Sequence, residues 1–103
     1  MNDIRIVQGE TIDIMVTVKD VSGQIVNLDG FEGIFGSSIT GQKKMLVMDN
    51  MLILSLTSLE TLKMQPKEYR YEVKVKTADE KIKSILLGHL IITKAYVQFE
   101  NEG

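Results

Sequence analysis

"IRIVQGETIDIMVTVKD", residues 4–20, decides the fold, because its apolar residues form one short run and then alternate strictly. The run stops at Gln8-Gly9, and beyond it every second side chain is β-branched and apolar. A period of two is typical of a strand with one buried and one wet face. We therefore predict a short strand over 3–7, a kink, and a long strand over 10–21. Its core face holds Ile12, Ile14, Val16 and Val18.

The same alternation continues through most of the chain and predicts further strands. Asp49-Asn50 separates two of them and has the length and composition of a tight hairpin turn whose residues tolerate positive φ. After that turn, Leu52, Leu54 and Leu56 share one face, which we predict to be buried. The predicted segments cover residues 24–28, 31–38, 43–48, 51–56, 68–76 and 82–94, with a loop over 39–42.

One short helix interrupts the strands. Thr57 and Glu60 have the spacing of a capping box, in which each side chain satisfies a free backbone amide of the other residue. The helical turn should end before Pro66. No connection is long enough for a crossover helix, so the pattern favours an antiparallel β-sandwich of about seven strands. We predict one domain over 1–97 and a loose C-terminal tail over 98–103.

Composition limits the classes of function. The 103 residues suit one core, and 44% hydrophobic with 25% charged residues is ordinary for a globular domain. Without cysteine there can be no disulfide, thiolate zinc site or thiol nucleophile. A net charge of −2 gives no reason to expect nucleic acid as a partner. The chain carries neither a secretion signal nor an apolar run of about 20 residues, so we expect no membrane partner.

Residues able to carry out chemistry are few. His89 is the only histidine, and its parity places it on the outer face of the last strand, where a surface role is favoured over a ligand or base. The stretch "GSSITGQK", residues 36–43, nearly spells a phosphate-binding loop, but Gln42 stands where the lysine should be. We therefore expect no catalytic or metal site, no cofactor and no small-molecule substrate.

Charged residues cluster around the last hairpin. Four lysines could form a basic patch for an acidic partner, but two carboxylates lie among them. We interpret the cluster as solvated protection of a sheet edge. Its members are Lys74, Lys76, Asp79, Glu80, Lys81 and Lys83.

Outward-facing apolar residues are the remaining candidate for function. If the leucines after the hairpin point inward, then Met51 and Ile53 point outward, as do Met15 on the second strand and Ile91 on the last. Flexible apolar side chains such as methionine suit protein contacts, and the chain has six methionines. These four residues are the candidate protein interface. Scattered apolar residues are also normal on monomers, so that alternative stays open.

The order of these signals resembles the immunoglobulin-like domains of tailed-bacteriophage structural proteins, especially the N-terminal domain of the phage baseplate upper protein. The matching stretches cover most of the chain: "IVQGETIDIMVTVKD" at 6–20, "GQIVNLDGF" at 23–31, "LILSLTSLETLKMQPKEYRYEVKV" at 52–75 and "LLGHLIITK" at 86–94. The resemblance implies an immunoglobulin-like sandwich. It also implies that Tyr69 and Tyr71 serve core and corner packing, with one hydroxyl bonded to backbone.

The resemblance further implies a non-enzymatic virion protein, located in the particle and assembled in the host cytoplasm. Such an adaptor binds other virion structural proteins at the tail, baseplate or neck, and capsid decoration is the nearest variant. Because such a domain is repeated many times in a particle, the resemblance also implies that copies of the chain can self-associate into a homo-oligomer. Two alternatives from other classes are a host-surface carbohydrate-binding module, tested at Tyr96, and an enzyme whose site is assembled across subunits around His89.

Overall fold

The computed structural model describes residues 2–97 and 99, which form seven β-strands and one short helix. The predicted loose tail over 98–103 lies outside the described residues apart from Phe99. The elements, in chain order, are β1 (Ile4–Val7), β2 (Ile12–Thr17), β3 (Glu32–Ser37), β4 (Gly41–Met48), β5 (Met51–Leu56), α1 (Ser58–Leu62), β6 (Lys67–Lys76) and β7 (Ile82–Thr93).

The strands form one mixed sheet in the order β1-β7-β6-β3-β4-β5-β2. Its two end strands, β1 and β2, follow each other in the chain, so the sheet curls into a shape close to a barrel. The prediction of purely antiparallel pairing is wrong at one place, because β1 runs parallel to β7, from Ile4 opposite Leu90 to Val7 opposite Thr93. Parallel neighbours need a long connection. Here the whole intervening domain supplies it, so no crossover helix is required.

The core lies between the inner faces of the curled sheet. The predicted inner residues Ile14 and Val16 of β2 are buried, as are Leu52, Leu54 and Leu56 of β5, which confirms the two predicted core faces. At the centre, the rings of Phe35 and Tyr71 stack with centroids 5.1 Å apart. Residues with no exposed surface include Ile6, Leu28, Phe35, Leu52, Val73 and Leu90.

Turn chemistry explains one correct prediction and one wrong one. Asp49 and Asn50 have φ of 51° and 59°, as a two-residue hairpin turn requires, so the β4–β5 hairpin is confirmed. The predicted strand over 24–28 is wrong: only an isolated bridge joins Lys19 to Ile25. Three residues after this bridge, the Leu28 amide donates to the side-chain oxygen of Asn50 at 3.3 Å. Backbone bonds join this stretch to residues 18–20 only as far as Val26, and at Leu28 a side chain takes the place of a strand partner.

The predicted capping box at the start of α1 is confirmed. The Thr57 hydroxyl accepts from the Glu60 amide at 3.2 Å, and the Glu60 carboxylate accepts from the Thr57 amide at 2.8 Å. The other Glu60 oxygen lies 2.8 Å from the Lys43 ammonium of β4. The hydrogen bond from Lys43, followed by that from Thr57, lowers the pKa of Glu60 to about 2. One carboxylate thus ties the helix to the sheet.

The Gln-Gly kink between β1 and β2 is held by hydrogen bonds to α1, to the segment that follows α1 and to the segment that follows β7. The Gln8 side-chain amide donates to the Met64 carbonyl at 2.8 Å, and its oxygen accepts from the Ala95 amide at 3.3 Å. Gly9, at φ 86°, donates to the Thr61 hydroxyl, which is fully buried. The kink therefore fixes the position at which the chain passes from β1, at one end of the strand order, to β2, at the other end.

We expect Glu60→Gln to lower the free energy of unfolding at pH 7 by about 0.5–1 kcal/mol, since solvent screens this half-exposed pair. The folded pKa is below the ordinary 4.5, so the ionised form stabilises the fold above pH 4.5 and this contribution is lost as pH falls toward 2. Urea unfolding at several pH values measures the difference. Glu80→Gln, in a looser 3.9 Å pair, is the control. A difference between wild type and Glu60→Gln that is unchanged at pH 2 would contradict the assignment.

Candidate protein-interaction surface

An apolar patch covers the outer face of β4, β5 and β2. Cross-strand pairing places Leu46 opposite Ile53 and Ile53 opposite Met15, which makes a row across three strands. In the next row Met48 lies opposite Met51. Met15 and Leu46 are each 58% exposed and Met48 is 49% exposed. We call Met15, Leu46, Met48, Met51 and Ile53 the outer apolar patch.

Polar residues limit this patch along the strands. On the same outer face, the Ser55 hydroxyl donates to the Asp13 carboxylate at 2.6 Å, at one end of the β2–β5 pair. Thr17 lies opposite Met51 at the other end. Between them the face carries no charged side chain on β2 or β5. An apolar centre with a polar border is the composition found in protein interfaces.

Three of the four predicted interface residues lie in the outer apolar patch. Met15 and Ile53 are direct cross-strand partners, and Met51 is one row away. Ile91 is not part of it. It lies on β7 between Arg5 of β1 and Glu68 of β6, which places it among charged neighbours.

Leu46 and Met48 were missed by the sequence reasoning, although a signal was available. A two-residue turn fixes the hairpin register, so Met48 must pair with Met51 and Leu46 with Ile53. The alternation within β4 is harder to interpret, because this strand pairs with β3 through Met45 and with β5 from Leu46 onward. A strand that changes partner does not present one continuous face, so its alternation was not assigned to the patch.

His89 lies on the outer face of β7, as its parity predicted, with its side chain 30% exposed. Its Nδ1 is 3.6 Å from Asp3 and its Nε2 is 3.9 Å from Glu68, distances too long for good hydrogen bonds. Within residues 2–97 and 99, no three His, Asp or Glu side chains are grouped so as to hold a metal ion. The phosphate-loop lookalike forms the β3–β4 turn, where the hydroxyls of Ser37 and Thr40 bond to each other at 2.8 Å.

Among the cavities that the described residues form, two lie against the sheet strands that matter here. A shallow groove of about 640 Å³ lies on the outer face of β3 and β6. Gly36 leaves space there because it has no side chain, and the oppositely charged Glu72 and Lys74 line the groove. A cleft of about 420 Å³ separates β2 from the β1–β7 side of the sheet. Ile12 to Val16 line one wall of that cleft, with Asp3 and Leu86 across from them. The cleft marks where the barrel does not close.

Both tyrosines of β6 bond to backbone. The Tyr69 hydroxyl donates to the Gln65 carbonyl at 3.1 Å, four residues upstream, and the Tyr71 hydroxyl donates to the Asn2 carbonyl at 2.6 Å. Burial raises the pKa of Tyr71. Each hydroxyl thus has a backbone partner, where the resemblance implied one such bond, and Tyr71 packs in the core. Tyr96, in contrast, is 91% exposed.

Comparison of the chain with protein-family models and with curated protein sequences finds no match. In the part of the chain that the structure describes, no helix has the length and apolar character needed to cross a membrane. Function must therefore be argued from the fold and from the outer apolar patch.

Proposed function

We propose that the protein is a non-enzymatic structural protein of a tailed-phage virion, an immunoglobulin-like adaptor that binds other virion proteins at the tail, baseplate or neck. The observation that carries this proposal is the outer apolar patch, an ordered apolar face on a rigid sheet. The proposal places the protein in the particle, after assembly in the host cytoplasm.

The strand neighbours support an immunoglobulin-like sandwich. β7, β6 and β3 are adjacent in the order expected for the last, sixth and third strands of that fold, and β2, β5 and β4 supply the opposite layer. β1 joins β7 instead of β2. The bond from Tyr69 to the Gln65 carbonyl has the form of the tyrosine corner of such domains, at the start of the same strand.

The exposed side chains of the outer apolar patch suit contact with another protein. Leu46 and Met15 each leave more than half of their surface in water, so a partner that covered them would remove apolar area from solvent. Methionine side chains adapt to differently shaped partners. Repetition of one modest contact around a symmetric particle would give firm attachment.

The proposal is tested by binding purified protein to capsid, neck, tail and baseplate proteins of the same genome. We expect one of them to bind, and Leu46→Lys to raise its Kd at least about tenfold, because a charge would be buried at the contact. Leu87→Lys is the matched control, since Leu87 is 65% exposed on β7, outside the outer apolar patch. Leu87→Lys should bind as the wild type does.

Two results would overturn the proposal: no binding of the wild type to any of these proteins, or binding by Leu46→Lys as tight as by the wild type. Capsid decoration is the nearest variant of this function and needs the same surface. Capture by a capsid protein instead of a tail, neck or baseplate protein would assign it.

A further inference from the structure

β2 has a free edge. It is the last strand in the sheet order and pairs only with β5, from Ile12 opposite Leu56 to Thr17 opposite Met51. Among the described residues, no other backbone hydrogen bond involves the stretch from Ile12 to Thr17. The other edge of β2, which forms one wall of the cleft facing Asp3 and Leu86, therefore presents the unpaired amides and carbonyls of alternate residues over a stretch of six residues, the length of an ordinary strand.

This edge lacks the devices that normally block strand addition. Lysine, proline, a bulge or extreme shortness protects an edge. β1 is four residues long, carries Arg5, and its last amide, on Val7, donates to the Glu10 carboxylate. The open part of β7 carries Lys83, and Ile85 is an extra residue in its pairing with β6. β2, whose sequence is IDIMVT, contains no lysine, proline or bulge, and its one charged side chain, Asp13, accepts a hydrogen bond from Ser55 of its partner strand β5.

The ligand that such an edge accepts is an extended strand, and the sequence of β2 is complementary to itself. In an antiparallel pair of two β2 strands centred on Met15, the two Met15 residues lie opposite each other, Ile14 lies opposite Val16, and Asp13 lies opposite Thr17. No like charges face each other, and the hydroxyl can donate to the carboxylate. A register shifted to place Asp13 opposite Asp13 would be repulsive.

The same register joins two outer apolar patches. Leu46, Ile53 and Met15 form a row that runs to the β2 edge. Across a two-fold axis at Met15, the row continues through Met15, Ile53 and Leu46 of the second copy. The backbone ladder and the apolar row thus favour one and the same alignment.

We propose that the protein self-associates as a two-fold symmetric dimer through the free edges of β2, with Met15 at the axis, to give the continuous strand order β4-β5-β2-β2-β5-β4. The contact is isologous, so it closes at two copies and leaves no further β2 edge exposed. In the adaptor role proposed above, the dimer would present two adjoining apolar patches to a partner.

Cysteine cross-linking tests the dimer directly, since the chain has no cysteine of its own. Met15→Cys places two sulfurs across the axis, where opposed residues have Cα atoms about 4.5–5.5 Å apart, within disulfide range. We expect mild oxidation to convert most of Met15→Cys to a covalent dimer. The control is Leu46→Cys, at the same 58% exposure. Its two copies would be five strand spacings apart, about 24 Å, and should cross-link at least about tenfold more slowly.

Solution mass supplies the second readout and does not depend on cysteine. We expect the wild type to move from the 11.6 kDa monomer to the dimer with rising concentration in sedimentation equilibrium. Met15→Lys should raise the dimer Kd at least about tenfold, because two like charges would face each other. Its circular dichroism should be unchanged, as Met15 is 58% exposed in the monomer.

A wild type that stays monomeric, equal cross-linking of the two cysteine variants, or a Met15→Lys dimer of wild-type affinity would each overturn the proposal. All these measurements use the purified protein alone. Their failure would leave binding to virion proteins untouched, and failure of that binding would leave the dimer standing, so the two proposals are tested separately.

Discussion

Phe35→Ala is expected to lower the free energy of unfolding by about 3–5 kcal/mol, because it removes a large buried ring and leaves a cavity. Phe35 has no exposed surface, and its ring stacks on Tyr71 with an interplanar angle of 13°. It lies on β3, between Lys43 of β4 and Val73 of β6. Collapse around the missing ring would have to move strands on both sides, so little relaxation is available.

The loss is measured by urea unfolding at pH 7, followed by circular dichroism. A domain of this size has a total stability of about 5–15 kcal/mol, so the variant should unfold at a clearly lower urea concentration than the wild type. Phe99→Ala is the matched control: Phe99 is 79% exposed, and we expect a change within about 0.5 kcal/mol. A loss below about 1 kcal/mol for Phe35→Ala would mean that the ring is not at the centre of the core.

Local patterns were sufficient for several of the individual elements, although not for the predicted strand over 24–28. The β-branched alternation at Ile14 and Val16 identified the core face of β2, and the two-residue turn at Asp49-Asn50 fixed the hairpin. The capping box was also correct, because its Thr57 and Glu60 satisfy each other within one turn. Each of these features depends on residues close in sequence, so the sequence pattern contains all of the necessary information.

Pairing between distant segments was not accessible in the same way. The parallel pairing of β1 with β7 joins Ile4 to Leu90, and nothing in either segment specifies the direction of its partner. The stretch 24–28 has strand-like composition, but its amide at Leu28 is satisfied by the Asn50 side chain, a contact 22 residues away. The function of Gln8 as a clamp between Met64 and Ala95 likewise exists only once three segments have come together.

For the candidate surface too, part could be predicted from local pattern and part depends on pairing between distant segments. Alternation correctly gave the outward direction of Met15 and Ile53, and their cross-strand contact follows from a sheet order that the sequence does not contain. Ile91 has the same parity but lies on β7, which is four strands away from β5 in the sheet order, beside Arg5 and Glu68. Parity states which face a side chain is on, and only the sheet order states which side chains share that face.

The sheet order also predicts a second large loss of stability, caused by substitution of Gly88 at the junction of β1 with β7. Gly88 lies opposite Tyr71 on the inner side of β7, where a Cβ would overlap the carbonyl oxygen of Asn2 and approach Tyr71 Cε2 to 2.9 Å. The same Asn2 oxygen accepts the Tyr71 hydroxyl at 2.6 Å, and the Asn2 side chain donates to the Leu87 carbonyl at 3.3 Å. Backbone cannot yield as a flexible side-chain end can, so Gly88→Ala must displace the segment that leads into β1.

We expect Gly88→Ala to lower the free energy of unfolding by about 2–4 kcal/mol, from overpacking together with loss of the Tyr71 hydrogen bond. Hydrogen exchange should locate the damage: amides of Ile4–Val7 should exchange faster than in the wild type, while those of Met51–Leu56 should change only with global stability. The matched control is Gly36→Ala, a strand glycine whose Cβ would meet only Gln42 at 4.0 Å. Its stability should be unchanged or slightly raised. Equal effects of the two substitutions would contradict the close crossing of Asn2 over Gly88, and with it the parallel entry of β1.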